Sequence, residues 1–283
     1  MQNRYGIKAE IGAIPGFECC GTVVAHGGSP LAWWLMGKRV SCFAYGGCWA
    51  EYMVVDAIRC FPLNRSTSWE NAAGAIANPV TVMMMLDIAK NEKMVVATAG
   101  SSSLTRQFVR AAKSKGIGTI VVVRKDDQLE NSQKNGAFAT LNSEAPDFQE
   151  KLTELCKEHK VKLAFDSVAG ETGSKVVSSL CSGGIIYVYG FLSGKPINVT
   201  GADLIFKDKE IKGLSLMSIF KKSSMFKINH MKQQVISLLD TDLTTDVQAT
   251  FSLKDFADAL MTYTQNLSGG KVHLIIGDAE SSQ

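Results

Sequence analysis

Residues 95–107, VVATAGSSSLTRQ, set a run of small and hydroxyl side chains between an apolar stretch and a segment with helical spacing. The start of a helix leaves backbone N–H groups unpaired and carries partial positive charge. It therefore suits a pyrophosphate wherever the chain can come close. Ala99, Gly100, Ser101, Ser102 and Ser103 are small enough to allow that approach, Leu104 follows them into the helix, and the serines add hydroxyl donors. The GxGxxG fingerprint is absent, and the same residues could form an ordinary serine-rich helix cap. Context favours the phosphate reading, because the turn opens a series of six alternating strands and helices.

The end of the second strand in such a series is where the adenosine ribose is read. Here VVVRKDD, residues 121–127, offers Arg124 and Lys125. A guanidinium grips a phosphate through two parallel hydrogen bonds, so the 2′-phosphate of NADPH is expected ahead of NADH. Asp126 and Asp127 could instead accept the ribose hydroxyl of NADH or begin the next helix. Asp166 closes the fourth strand, and Tyr189, Gly190 and Phe191 follow the fifth. Open α/β sheets bind ligands at these carboxyl ends. Asp166 could also cap a turn, while Gly190 would let backbone approach a cofactor.

The seven cysteines, at 19, 20, 42, 48, 60, 156 and 181, include no CxxC pair. An odd number among strand-like and helical neighbours suits a reducing compartment and small buried residues rather than metal ligands. Cys19 and Cys20, adjacent on an extended strand, must point to opposite faces. His26, His159, His230 and His273 are scattered, and no metal site is expected.

The elements that must position these groups follow from the apolar pattern. Strands are expected at MVVATA (94–99), GTIVVVR (118–124), AFATLN (137–142), KLAFDSV (162–168), IIYVYGF (185–191) and EIKGLSL (210–216). Between them lie helical segments from about Ser103 to Lys115, in DDQLENSQKNG, in DFQEKLTELCKEH and in ETGSKVVSSLCSGG. Strands apolar on both faces and separated by helices give a parallel sheet covered on both sides. Residues 12–63 differ in kind. GTVVAHG, GKRVSCFA and WAEYMVV are short strand-like pieces broken by glycines, which suggests a compact antiparallel barrel. After Leu216 come a helix over Phe226 to Asp240, the strand QATFSL, a helix over Lys254 to Gln265 and the strand KVHLIIG, a pattern expected to return to the first domain across a cleft.

A net charge of +3, evenly spread, argues against a nucleic-acid groove or a polybasic membrane face and leaves small molecules as the expected partners. No apolar run approaches the roughly 20 residues of a transmembrane helix. The opening MQNRYGIKAEIG has neither a secretion core nor a transit-peptide pattern, so a cytoplasmic address is expected, with an organellar one open if the N-terminus is incomplete.

Taken in order, PGFECCGTVVAHGG, GKRVSCFA, ENAAGAIANPVTVMMM, ATAGSSSLTRQFVRAAKSKGI, VVVRK, AFDSVAGE, IIYVYGFLSGKPI and DLIFKDKEIKG make the chain resemble the medium-chain dehydrogenase/reductase superfamily. Within it they look most like the zinc-independent branch of 2-enoyl thioester reductases and quinone-reductase-like proteins. The resemblance implies an α/β fold. A GroES-like β-barrel domain would span 1–82, a Rossmann-type doubly wound parallel sheet 83–217, and a return to the barrel domain 218–283. It also implies an NADPH-dependent reductase of α,β-unsaturated carbonyl compounds, 2-enoyl thioesters or quinones, acting as a homodimer paired around Ile211 to Met217. Where zinc alcohol dehydrogenases read GHE with a zinc-ligating histidine, this chain has Phe17 before Glu18.

Without a metal the carbonyl must be polarised by hydrogen bonds while hydride is delivered, and a neutral phenol, with a pKa near 10, serves at neutral pH. The resemblance gives that role to Tyr5, which could equally be an exposed residue near a frayed terminus. It places Asn78 and Thr81 near nicotinamide and substrate, although ANPV could simply start a helix. Three departures stand out. Strands that precede the tyrosine in relatives are missing, Thr105 replaces a glycine near the pyrophosphate, and Leu214 and Ser215 replace two aromatics of the acyl pocket. They leave open a second expectation: a truncated, catalytically silent dinucleotide-binding protein.

Overall fold

A computed structural model describes residues 10–216 and 224–276. Contacts divide them into two units, one holding the chain up to Ala77 and again from Thr245, the other running from Asn78 to Thr244.

The first unit begins with strand β1 (Glu18–Thr22), helix α1 (Pro30–Leu35), strands β2 (Arg39–Phe43) and β3 (Cys60–Pro62), and helix α2 (Trp69–Ala73). Helix α1 starts where it does because the Ser29 hydroxyl accepts the Ala32 amide at 3.2 Å and Pro30 opens the first turn. The three strands form one antiparallel sheet in the order β1-β2-β3. Its register sets Cys19 opposite Cys42 and Cys42 opposite Cys60. Leu35, Val40, Cys42 and Cys60 form its small core, with Cys19, Val23, Met53 and Val55 packed against it.

Two expectations for this unit need correction. The first strand lies at 18–22 rather than 21–27, and WAEYMVV (49–55) carries no strand. Alternate side chains of that segment, Met53 and Val55, do pack on the core, so its sequence shows strand-like alternation without a ladder partner.

The second unit contains helix α3 (Ala77–Ala89, whose first residue belongs to the first unit), then β4 (Met94–Ala97), α4 (Ser103–Ser114), β5 (Gly118–Val123), α5 (Leu129–Lys134) and β6 (Ala139–Asn142). There follow α6 (Phe148–Glu158), β7 (Leu163–Asp166), α7 (Gly170–Ser179), β8 (Ile185–Val188), α8 (Gly201–Ile205), β9 (Glu210–Gly213) and α9 (Met225–Leu238). The strands form one parallel sheet in the order β6-β5-β4-β7-β8-β9. The order reverses between β4 and β7, which makes that pair the topological switch point of a doubly wound sheet. Successive residues of β5 divide between the faces as the period of two requires. Ile120 and Val122 pack with Leu152 and Val176 of α6 and α7, while Val121 and Val123 pack with Val109 of α4.

Strand β9 ends at Gly213, short of the expected 216, although the Leu214 amide still reaches the Val188 carbonyl at 2.8 Å. By contacts, helix α9 and the loop after it belong to this unit, and the second segment of the first unit starts at Thr245. Polar side chains of α4 hold that loop: Gln107 Nε2 donates to the Leu243 carbonyl at 2.7 Å, and Arg110 donates to the carbonyls of Asp242 and Thr244 at 3.0 and 2.7 Å.

The return segment is β10 (Val247–Ser252), α10 (Phe256–Gln265) and β11 (Lys271–Ile275). Strands β10 and β11 pair in parallel, because α10 supplies the crossover a parallel pair needs. Among the described residues no helix is long and apolar enough to cross a membrane.

Candidate functional site

The turn between β4 and α4 is shaped by three neighbours. Ala99 sits at φ 51°, the left-handed region that costs an ordinary residue roughly 1 kcal/mol. Gly100 lies so close to β5 that an added Cβ would collide with Val121 Cγ1 and come within 2.8 Å of Val123 Cγ1. Its amide meanwhile donates to the Val122 carbonyl at 2.9 Å. Glycine at 100 is thus demanded by the sheet beneath the turn as well as by any ligand above it. Ser102 is the N-cap of α4, its hydroxyl accepting the Thr105 amide at 3.2 Å. Among the described residues no protein acceptor meets the amides of Ser103 and Leu104, and 101–104 are only half-buried. These N–H groups point out of the helix start, where an anion finds both donors and favourable dipole.

Thr105, the residue standing in place of a glycine, does not crowd this opening. It is wholly buried, and its hydroxyl donates to the Thr98 carbonyl at 3.0 Å and lies 3.2 Å from the Tyr189 hydroxyl. Burial pushes the Tyr189 phenol up from its ordinary pKa, so it stays protonated and keeps a proton to share with this network. The added methyl and hydroxyl are absorbed in the layer between α4 and the sheet.

Asp166 has no exposed surface. Its carboxylate accepts the Thr98 hydroxyl at 2.6 Å and the amides of Val168 and Ala169 at 3.0 and 2.9 Å, while the Ser167 amide donates to Thr98 Oγ1 at 3.0 Å. This latch ties the ends of β4 and β7 together at the switch point. Of the two readings open for Asp166, these contacts support the turn cap. The partners are 68 residues apart, and no sequence pattern of Thr98 or Asp166 alone announces the pairing. Gly190 packs on the same latch, since a Cβ there would lie 2.8 Å from Ser167 Cβ. Phe191, one residue on, is exposed.

At the end of β5, Arg124 and Lys125 are exposed, and among the described residues neither forms an ion pair. Asp126 is engaged, its carboxylate accepting the Asn142 amide group at 2.8 Å. The basic pair therefore projects from the strand beside the switch point with no internal carboxylate to neutralise it.

Asn78 and Thr81 stand three residues apart on α3 and so share a face of that helix. Asn78 is half-buried and Thr81 buried. The start of α3 is held by Glu18, whose Oε1 accepts the amides of Ile76 and Ala77. Desolvation of this carboxyl outweighs those two donors and raises its pKa from 4.5 to about 7. The sequence reading missed this cap. Its available signal was a carboxylate in an apolar strand. Phe17 beside it is partly exposed. Among the described residues no group of three or more His, Cys, Asp or Glu side chains is arranged to hold a metal ion. Tyr5, the expected carbonyl donor, lies outside the described residues.

Two family models match the chain, the alcohol dehydrogenase GroES-like domain over residues 1–65 and the zinc-binding dehydrogenase domain over 107–240. A mitochondrial enoyl-[acyl-carrier-protein] reductase of Arabidopsis thaliana is 28% identical over 251 residues, covering 84% of this chain. The mitochondrial enoyl-[acyl-carrier-protein] reductase of Caenorhabditis elegans is 30% identical over 219 residues, covering 75% of it. The chain spans 65% and 62% of the length of these two relatives. A crystal structure from Mesorhizobium loti described as an NADPH:quinone reductase superposes with a TM-score of 0.82 at 31% identity, over 93% of this chain and 77% of that one. The switch-point sheet, the capped turn and these matches lead to one conclusion: the chain belongs to the medium-chain dehydrogenase/reductase superfamily, in the branch that holds enoyl reductases and quinone reductases.

Proposed function

We propose that the chain is a zinc-independent, NADPH-dependent reductase of α,β-unsaturated carbonyl compounds, 2-enoyl thioesters among them. The observation that carries this reading is the pairing of open amides at the start of α4 with the uncompensated Arg124 and Lys125 at the end of β5. The two features fit the diphosphate and the 2′-phosphate of one dinucleotide. The engagement of Asp126 by Asn142 removes one carboxylate that could have served NADH. When bound, NADPH supplies the hydride. The chain's part is to hold the diphosphate with the amides of Ser103 and Leu104, to grip the 2′-phosphate with Arg124, and to orient ring and carbonyl with Asn78 and Thr81. Tyr5 donates to the carbonyl oxygen by analogy with the family. The names of the enoyl reductase relatives support the thioester substrate, and that of the Mesorhizobium loti structure supports a quinone as the second reading. The seven unbridged cysteines suit a reducing compartment such as the cytoplasm.

The test has two steps. NADPH and NADH are titrated by nicotinamide fluorescence, and NADPH consumption is then followed with crotonyl and longer enoyl thioesters, simple enones and quinones. Tighter binding of NADPH and turnover of enoyl thioesters are expected. Turnover of quinones alone selects the second reading. Binding without turnover of any of these substrates overturns the reductase, and no binding of either nucleotide overturns the site.

A further inference from the structure

Four of the seven cysteines gather on the small sheet of the first unit. Cys19, Cys42 and Cys60 occupy directly opposed positions across β1, β2 and β3, and their side chains share its core face. Cys19 Sγ lies 3.3 Å from Cys42 Sγ, and the Met53 thioether touches both sulfurs at 3.4 and 3.7 Å. Cys20 faces the other way, its thiol directed at the Trp69 carbonyl at 3.6 Å. We infer that Cys19 and Cys42 are a peroxide-responsive dithiol, with Cys19 the attacking sulfur and Cys42 the resolving one, which closes to a cross-strand disulfide.

The geometry already satisfies the bond's main demand. Directly opposed residues of an antiparallel ladder have Cα atoms about 4.5–5.5 Å apart, inside the range disulfides span. Only the sulfurs must move, from contact distance to bonding distance. Burial distinguishes the two roles: Cys19 is half-buried, the more accessible of the pair, whereas Cys42 is buried at 4% exposure. The hydrogen bond shared by the two sulfurs favours ionisation of Cys19 and holds it below the usual thiol range, while that bond and burial hold Cys42 above it. The other thiols lack this combination. Burial pushes Cys20 and Cys156 up to about 12, and the Cys181 thiol donates a hydrogen bond to the Cys156 carbonyl at 3.2 Å.

The chemistry balances with hydrogen peroxide as oxidant. The Cys19 thiolate attacks one peroxide oxygen, the O–O bond breaks, and hydroxide leaves to become water as Cys19 becomes a sulfenic acid. The Cys42 sulfur then attacks the Cys19 sulfur, the S–O bond breaks, and a second water leaves with the Cys42 proton. Two thiols and one peroxide give one disulfide and two waters, and a thiol reductant reverses the bridge.

The whole chain would be treated with hydrogen peroxide, its remaining thiols alkylated, and the protein digested without reductant for peptide mass spectrometry. Alkylation is expected to be lost together at Cys19 and Cys42, with their peptides joined and released again by dithiothreitol. In Cys42→Ser the Cys19 sulfenic acid should persist and be trapped by dimedone, and in Cys20→Ser the bridge should form unchanged. A bridge from Cys19 to Cys48, or full alkylation of Cys19 and Cys42 while other thiols oxidise, would overturn the assignment. The map of the unsubstituted chain decides this even where Cys42→Ser fails to fold.

Discussion

At the scale of single residues, charge decides which nucleotide the site takes. Arg124 has no internal carboxylate partner, so replacing it removes a contact to ligand without leaving a buried charge behind. Arg124→Asp should weaken NADPH by about 2 kcal/mol, the worth of charge-assisted phosphate bonds, while leaving NADH nearly unchanged. Fluorescence titration of both nucleotides checks this, and equal losses would show that the guanidinium does not meet the 2′-phosphate. Glu18 makes a prediction about pH. Its folded pKa, near 7, stands above the ordinary 4.5, so between those values the folded chain holds a proton that the unfolded chain releases. Stability from this group is present below pH 4.5 and is lost as pH rises towards 7. Denaturant midpoints measured across that window should fall with pH for the unsubstituted chain, and Glu18→Gln should lack that part of the slope. Some of this chemistry was legible in the sequence. Arg124 could be picked out because a strand end fixes where the ribose edge must lie. The cap that Glu18 makes and the Thr98–Asp166 latch could not, because each joins residues more than fifty positions apart.

At the scale of elements, the turn from β4 into α4 shows what periodicity reveals and what it conceals. The six strands and the helices between them could be read because strands buried on both faces are continuously apolar and helices repeat every three to four residues. The order of the sheet, with its reversal between β4 and β7, is a finding of the structure. The first unit resisted the same reading. The strands of its antiparallel sheet are three to five residues long, and WAEYMVV shows strand-like alternation only because Met53 and Val55 pack on a core. Register, the property that sets Cys19 against Cys42, leaves no local trace. In the β4–α4 turn the sequence showed small residues but not which of them the fold requires. The structure assigns that requirement to Gly100, whose missing Cβ makes room for Val121 and Val123 of β5. Gly100→Ala should destabilise the chain by about 1–3 kcal/mol, the cost of overpacking. It should also weaken both nucleotides alike, because the whole turn shifts. Thermal denaturation together with the two titrations checks this. Unchanged stability would mean that the turn yields, and that its fit to β5 does not set the position of the α4 amides.

At the scale of the whole molecule, the sheet of the second unit ends, among the described residues, at β9, and that edge bears on assembly. Glu210, Ile211 and Gly213 are exposed, and Ile211 is 42% exposed on a strand that has no further partner among the described residues. An open edge, with its row of unpaired N–H and C=O groups, is a template for pairing. Antiparallel pairing with a second copy about a twofold axis at Ile211 would set Glu210 opposite the partner subunit's Lys212, and Lys212 opposite the partner subunit's Glu210. Carboxylate and ammonium, now paired within one strand at 2.8 Å, would then be exchanged across the axis without loss. The two copies of Ile211 would meet at the centre, where the charges flanking them would otherwise disfavour a chance partner. Sedimentation velocity should therefore find the chain as a dimer at micromolar concentration. Ile211→Glu, which places like charges face to face on the axis, should shift it to monomer. Lys212→Glu should also weaken the dimer, because every charge on the edge would then be negative, and the double variant Glu210→Lys with Lys212→Glu should restore it by reversing both signs at once. A monomeric unsubstituted chain, or a dimer indifferent to all three changes, would remove β9 as the interface.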